Sequence, residues 1–287
     1  LAARSVKNGN AGSIKSLSTN GQVSSRIGLR GVEDLGGGMR AGFWIEGDLV
    51  GDTGNPAGQT WQRRSTVSLM GGFGELRLGR TDSSIGALAG NSNILGAQSY
   101  DDFSAAQTLA AVKYRRVDNS ITYMLPKLVN GLSAQVQYSA AADSTVPNNG
   151  ETAGNKLGRL YGLNVQYAAG GFGAGAAYLE AKADNAGAKE KSALAYLSYD
   201  FTGAKVTGYY NRNASGVGLT GARELFGARL DVPLGNAFAM QASVSRARDW
   251  NDLDDADATI VALKGIYSLS KRTSIYALAT TISNGDN

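Results

Sequence analysis

Neither cysteine nor histidine occurs among the 287 residues, and proline occurs only 4 times. The first absence removes disulfides and thiolate metal sites. The second removes the commonest metal ligand and the usual near-neutral general base. No GxSxG motif is present, and the glycine-rich strings at 36–38 and 71–74 sit between extended runs rather than ahead of a helix, so they are hairpin turns and not phosphate loops. Asp101-Asp102 and Asp254-Asp255 lack the ligand spacing of a calcium loop. These absences point away from an enzyme and imply no cofactor and no metal. Long apolar runs are missing as well: none approaches the ~18 residues of a membrane-spanning helix, and the mean hydropathy is −0.19. This leaves a membrane barrel open, because its strands alternate and their hydropathy averages out. Residues 1–4, Leu-Ala-Ala-Arg, are too short for a signal peptide.

What the chain has is glycine, 39 residues of it, and a small excess of positive charge, +4 net. The cations are scattered over many segments without a basic helix or cluster, which points away from nucleic acid. Residues 24–33, 39–50, 61–70 and 75–80 alternate apolar and polar, the signature of strands with one greasy face. Ile27 and Leu29 fall on one side and Arg26 and Arg30 on the other. Ala41, Phe43 and Ile45 share a face opposite Arg40, Trp44, Glu46 and Asp48. Ten further runs follow, at 114–124, 132–139, 158–168, 172–183, 190–201, 205–213, 220–233, 237–249, 257–269 and 272–283, and residues 1–6 suit the tail of another strand, with the polar, Gly/Ser/Asn-rich stretch at 7–21 read as the first external loop. Very short turns alternate with long polar loops. That asymmetry between two rims is the layout of an outer-membrane barrel, and the loop at 81–111 far exceeds the usual connection.

Three strings carry a closer likeness: SRIGLRGVEDLGGGMRAGFWIEG from Ser25, RRSTVSLMGGFGELRLGR from Arg63, and LSKRTSIYA from Leu269. They resemble the trimeric general porins of Gram-negative bacteria, above all the β-proteobacterial, anion-selective type, and the resemblance runs through nearly the whole chain. It implies an all-β fold: one transmembrane antiparallel barrel over 1–287, with the third external loop folded into the lumen. It also implies a homotrimer in the bacterial outer membrane, in contact with membrane lipid and lipopolysaccharide, passing small anions and hydrophilic solutes. The family opens on a strand of the type SSVTLYG and closes on a terminal aromatic. This chain has neither, so its first and last strands read as incomplete; supplying them gives about sixteen, an even number as single-chain bacterial barrels have.

Aromatics at Phe43, Tyr138, Tyr167, Tyr199, Phe201, Phe226, Phe238 and Tyr267 lie on or near the apolar faces, mostly close to strand ends. Interfacial girdles need that placement. On alternation alone the same residues suit the core of a soluble, lectin-like sandwich. A barrel plugged by its third loop, serving as adhesin or anchor, is the other alternative.

Alternation directs Arg26, Arg64 and Arg116 to the polar face, with Arg40, Arg77, Lys205, Arg229 and Lys264 extending a basic path. Strict alternation turns Arg80 outward; the LGR pattern of the resembled family, Leu78-Gly79-Arg80 here, implies that Arg80 joins Arg26, Arg64 and Arg116 at the constriction by way of a local bulge. In the resembled porins, arginines on one wall of the constriction face acids on the infolded loop. Asp101 and Asp102 match that role, with Glu46 joining from the wall. Arginine suits a narrow waist because it stays ionised at any working pH and presents several donors.

Overall fold

Alternation along the chain becomes a meander in which each extended run hydrogen-bonds to the next, and the tight turns fix the register. The computed structural model describes residues 1–7, 9, 12–19, 24–56, 60–92, 115–143, 150–216, 221–248 and 257–284. The strands are β1 (Ala2–Lys7), β2 (Ser13–Ser18), β3 (Arg26–Gly36), β4 (Met39–Asp48), β5 (Arg64–Gly71) and β6 (Gly74–Asp82). After one helix, α1 (Ser84–Ser92), come β7 (Arg116–Met124), β8 (Leu132–Ser139), β9 (Leu160–Ala169), β10 (Phe172–Lys182) and β11 (Lys189–Asp200). The last five are β12 (Lys205–Ser215), β13 (Gly221–Leu234), β14 (Phe238–Arg248), β15 (Ala258–Ser268) and β16 (Ser274–Asn284). Strands β3 to β16 form one 14-stranded antiparallel sheet in strict chain order. Every run read between residues 24 and 283 is one of these strands, with ends displaced by at most three residues.

Two segments differ from the sequence reading. Residues 7–21, expected as an external loop, contain β2, which pairs with β1 from Ala2↔Ser18 to Lys7↔Ser13. The loop expected at 81–111 gives up Thr81 and Asp82 to β6 and residues 84–92 to α1. Ser83 starts that helix as its cap: its hydroxyl accepts from the Gly86 amide at 2.9 Å, and its carbonyl accepts from Ala87 at 2.8 Å. Asp101 and Asp102 lie outside the described residues.

The two edges of the large sheet approach the same hairpin. Residues 1–5 share a cavity with residues 274–278 of β16. Beyond β2, Thr19 is hydrogen-bonded to Ser25, just ahead of β3, at 3.0 Å. Among the described residues no ladder joins β3 to β16.

Burial is inverted relative to a water-soluble domain. Leu29, Leu197 and Leu263 are 62%, 62% and 48% exposed, and Ile27, Val67 and Ile275 are exposed too. On the other face Thr122, Gln137, Asn164, Asn211 and Ser245 are buried. Monomeric soluble proteins rarely show so continuous an apolar skin. Phe43, Tyr167, Tyr199, Phe201, Phe238 and Tyr267 belong to that skin, and Tyr199 and Phe201 meet edge to face at 4.7 Å between centroids.

Helix α1 lies against the polar face, over β9, β10 and β11. Ile85, Leu88 and Ala89 share one helical side and pack with Leu160, Leu179, Leu194 and Tyr196. This explains why apolar residues interrupt the polar face there. Close approach is possible because two wall positions lack a side chain. A Cβ on Gly162 would sit 2.7 Å from the Ser84 hydroxyl, and one on Gly175 2.7 Å from Leu88 Cδ1. Polar wall groups fix the helix start: the Ser84 amide donates to Gln137 Oε1 at 3.1 Å, and Asn164 Nδ2 donates to the Ser84 carbonyl at 2.8 Å.

Candidate functional site

Across β3 to β7, the helix-bearing face carries a charged cluster at the ends remote from the tight turns. Directly paired residues of an antiparallel sheet point to the same side, and the pairs Arg26↔Asp48, Glu46↔Arg64 and Asp82↔Arg116 put six charges there. Arg26 lies 3.8 Å from Glu46. Asp82 sits between two cations, 3.6 Å from Arg64 and 3.4 Å from Arg116. The Arg64 guanidinium lies over the Trp44 ring, 4.1 Å from its centroid, and that of Arg30 lies 5.5 Å away.

Arg63 completes the group. It donates to Glu46, to Asp48 at 2.9 Å and to the Ser24 hydroxyl at 2.9 Å. Burial works to lower its pKa, but the Glu46 hydrogen bond and the Asp48 charge outweigh it and leave the value raised. Gln62 supports Asp48 from the other side at 3.1 Å. Four arginines, Arg26, Arg63, Arg64 and Arg116, thus face three carboxylates, Glu46, Asp48 and Asp82, among the described residues. The surplus is positive.

Most sequence-assigned residues meet here or on the same face. Arg26, Arg64, Arg116 and Glu46 form the cluster. The bulge expected at Arg80 is present: between Gly79↔Ser120 and Thr81↔Val117, one residue of β6 faces two of β7. Gly79 at φ +113° and Asn119 at φ +50° absorb the irregularity. Arg80 binds Asp118 and the Gln62 carbonyl, so its partners differ from those of the other arginines. Arg77 is held by Glu75 at 2.8 Å, and Arg229 by Asp231 at 2.8 Å. Register places Arg40 opposite Met70, Lys205 opposite Asp200 and Lys264 opposite Gln241, all on the helix-bearing side. Arg229 and Lys264 are nearly fully buried there.

Sequence reasoning did not single out Arg63, Asp82 or Asp118. Alternation turns Arg63 away from Arg64, but Arg63 precedes the first residue of β5, where the two-residue period no longer binds it. Asp82 lies two residues past the LGR string, inside what was read as loop.

The Gram-negative porin family profile matches residues 1–287. The chain is a Gram-negative porin. It is 33% identical over 295 aligned positions to outer membrane porin protein 32 of Delftia acidovorans, covering 94% of this chain and 77% of that one. Its structure superposes on the anion-selective porin from Comamonas acidovorans with a TM-score of 0.82 at 29% identity, over 98% of this chain and 85% of that one. OmpF of Salmonella typhi shares the fold, with a TM-score of 0.75 at 16% identity over 98% and 87% of the two chains. This porin therefore belongs to the outer membrane, as a transmembrane β-barrel of a channel-forming family.

Proposed function

We propose that this porin is an anion-preferring diffusion channel whose selectivity is set by the arginine and carboxylate cluster on β3 to β7. The observation that carries the reading is the surplus of arginines over carboxylates on one wall. In a narrow, low-dielectric waist a passing ion sheds part of its hydration and feels fixed charge more strongly than in bulk. The excess cations then favour anions, while the paired carboxylates keep them from holding an anion too tightly to release it. Asp101 and Asp102 are proposed to face this wall from the third loop. The position of α1, flat against β9 to β11, supports an open bore over a plugged one.

In a KCl gradient across a planar bilayer, the protein is expected to give stepwise currents with a reversal potential favouring Cl⁻ over K⁺. Absence of steps would remove the channel, and a preference for K⁺ would remove the selectivity. The same reading includes a barrel of sixteen strands, assembly as a homotrimer, and contact with lipid and lipopolysaccharide. A trimer should run on gels as a band that dissociates only on heating.

The wall position of α1 gives a second test. Leu88→Asp places a charge in a site without room for hydration, at a cost of several kcal/mol unless the helix leaves the wall. Single-channel conductance should shift by about a factor of two or lose its steady level, and protease should cut near residue 90. Leu88→Met, which conserves volume, should cost less than about 1.5 kcal/mol and leave both unchanged. An Asp variant with wild-type conductance and wild-type cleavage would refute the docked helix.

A further inference from the structure

Turnward of the arginine cluster, the same face of β3 to β6 holds a cavity that the constriction does not use. Its volume is about 500 Å³, and its lining includes Arg30, Val32, Trp44, Ser68, Met70 and Arg77. The floor is apolar, made by Trp44, Val32 and Met70. It exists because Gly42 lies at its centre: a Cβ there would stand 3.0 Å from Met70 Cε and 3.6 Å from Val32 Cγ2.

The two cations of the cavity differ. Arg77 is engaged by Glu75, Nε at 3.0 Å and Nη2 at 2.8 Å to the same oxygen, which also accepts from Ser68 at 2.8 Å. Arg30 is exposed and has no carboxylate partner among the described residues; its guanidinium lies over the Trp44 ring, 5.5 Å from the centroid. An aromatic surface thus lies beside a guanidinium whose donors are open to a solute. Glu75 is already neutralised by Arg77 and holds Ser68 on the same oxygen, which weakens it as a competing cation site.

From this juxtaposition we infer that the cavity is a wall subsite for small aromatic carboxylates, with the ring stacked on Trp44 and the carboxylate received by Arg30. A guanidinium matches a carboxylate with two parallel hydrogen bonds. The indole face and thioether accept a ring edge or face. Chloride and acetate gain nothing from the floor. A neutral aromatic gains nothing from Arg30. The inference rests on the channel reading, since the solute must reach the inner wall.

The test uses the full chain with benzoate and acetate as probes. Benzoate should reduce the chloride current at concentrations about tenfold lower than acetate requires; Trp44→Leu should raise the benzoate constant by about tenfold while leaving that of acetate in place, and Arg30→Gln should raise the benzoate constant by about tenfold. Binding is read separately in detergent. The chain has 3 tryptophans, so Trp61→Phe with Trp250→Phe leaves Trp44 as sole reporter. Its fluorescence should respond to benzoate and not to acetate, and Arg30→Gln should weaken the response by about tenfold. Chloride steps with no difference between benzoate and acetate in either assay would overturn the subsite and leave the channel standing. A Trp44 response in a chain that gives no chloride steps would leave the subsite and overturn the channel.

Discussion

Exchanging Arg64 and Arg116 together for glutamate reverses the ion preference of the channel, from chloride over potassium to potassium over chloride. Both arginines flank Asp82, at 3.6 and 3.4 Å, and both are largely shielded from bulk water. Each replacement moves the wall by two charge units, so the double variant turns an excess of arginines into an excess of carboxylates. Two unit charges 4 Å apart interact by about 4 kcal/mol at an effective dielectric near 20 and by about 1 kcal/mol in bulk water. A permeability ratio shifts tenfold for each 1.4 kcal/mol. Even the water limit therefore predicts a change on the order of tenfold, enough to change the sign of the reversal potential. The effect should be larger at 0.1 M salt, where the Debye length is about 10 Å, than at 1 M, where it is about 3 Å. Arg64→Gln with Arg116→Gln should fall between wild type and the glutamate variant, which separates charge from any change in wall geometry. A reversal potential unmoved at 0.1 M salt would show that selectivity is set elsewhere on the chain.

Asp82→Asn tests the same wall from its acidic side. It removes the carboxylate between the two guanidinium groups without altering the backbone ladder that Asp82 makes with Arg116. Anion preference should rise by a few-fold. A fall would mean that Asp82 sustains the cationic wall by holding the arginines in place rather than by neutralising them.

The strands were legible because each follows a period of two and the tight turns of the large sheet carry glycine, apart from the one at 269–273. In Gly36-Gly37-Gly38, all three residues sit at positive φ, between +60° and +79°, which few other residues tolerate. The wall arginines of regular strands were legible for the same reason. Three features escaped. Arg63 stands just outside the β5 ladder, where alternation gives the wrong side. Asp82 was hidden in a stretch whose composition suits a loop, although Ser83 marks a helix start immediately after it. The β1–β2 hairpin was hidden because its second strand, SIKSLS, is short and polar on both sides of a glycine-rich connection. The bulge at Arg80 was legible only through the LGR string, since no local propensity announces that Asn119 adopts φ +50°.

The membrane exterior can be tested against intuition from soluble proteins. Leu263 is the central residue of the 11-residue β15, 48% exposed, opposite Ala242 and Ala279 on the apolar skin. On a water-facing surface, Leu263→Arg would change stability by no more than about 0.5 kcal/mol. Facing lipid at mid-depth, it should cost about 2–4 kcal/mol, because the guanidinium must either lose its hydration or drag water and headgroups inward. Ser133→Arg supplies the comparison. Ser133 lies on the opposite face, four residues along β8 from Gln137, and is exposed to the bore. Its replacement should cost about 0.5 kcal/mol or less. Reversible unfolding by urea from lipid vesicles, followed by tryptophan fluorescence, measures both. Equal costs for the two variants would mean that both faces meet the same solvent. That result is incompatible with a lipid-facing skin and a wetted bore, and it would remove the physical basis on which the arginine cluster acts as a selectivity device.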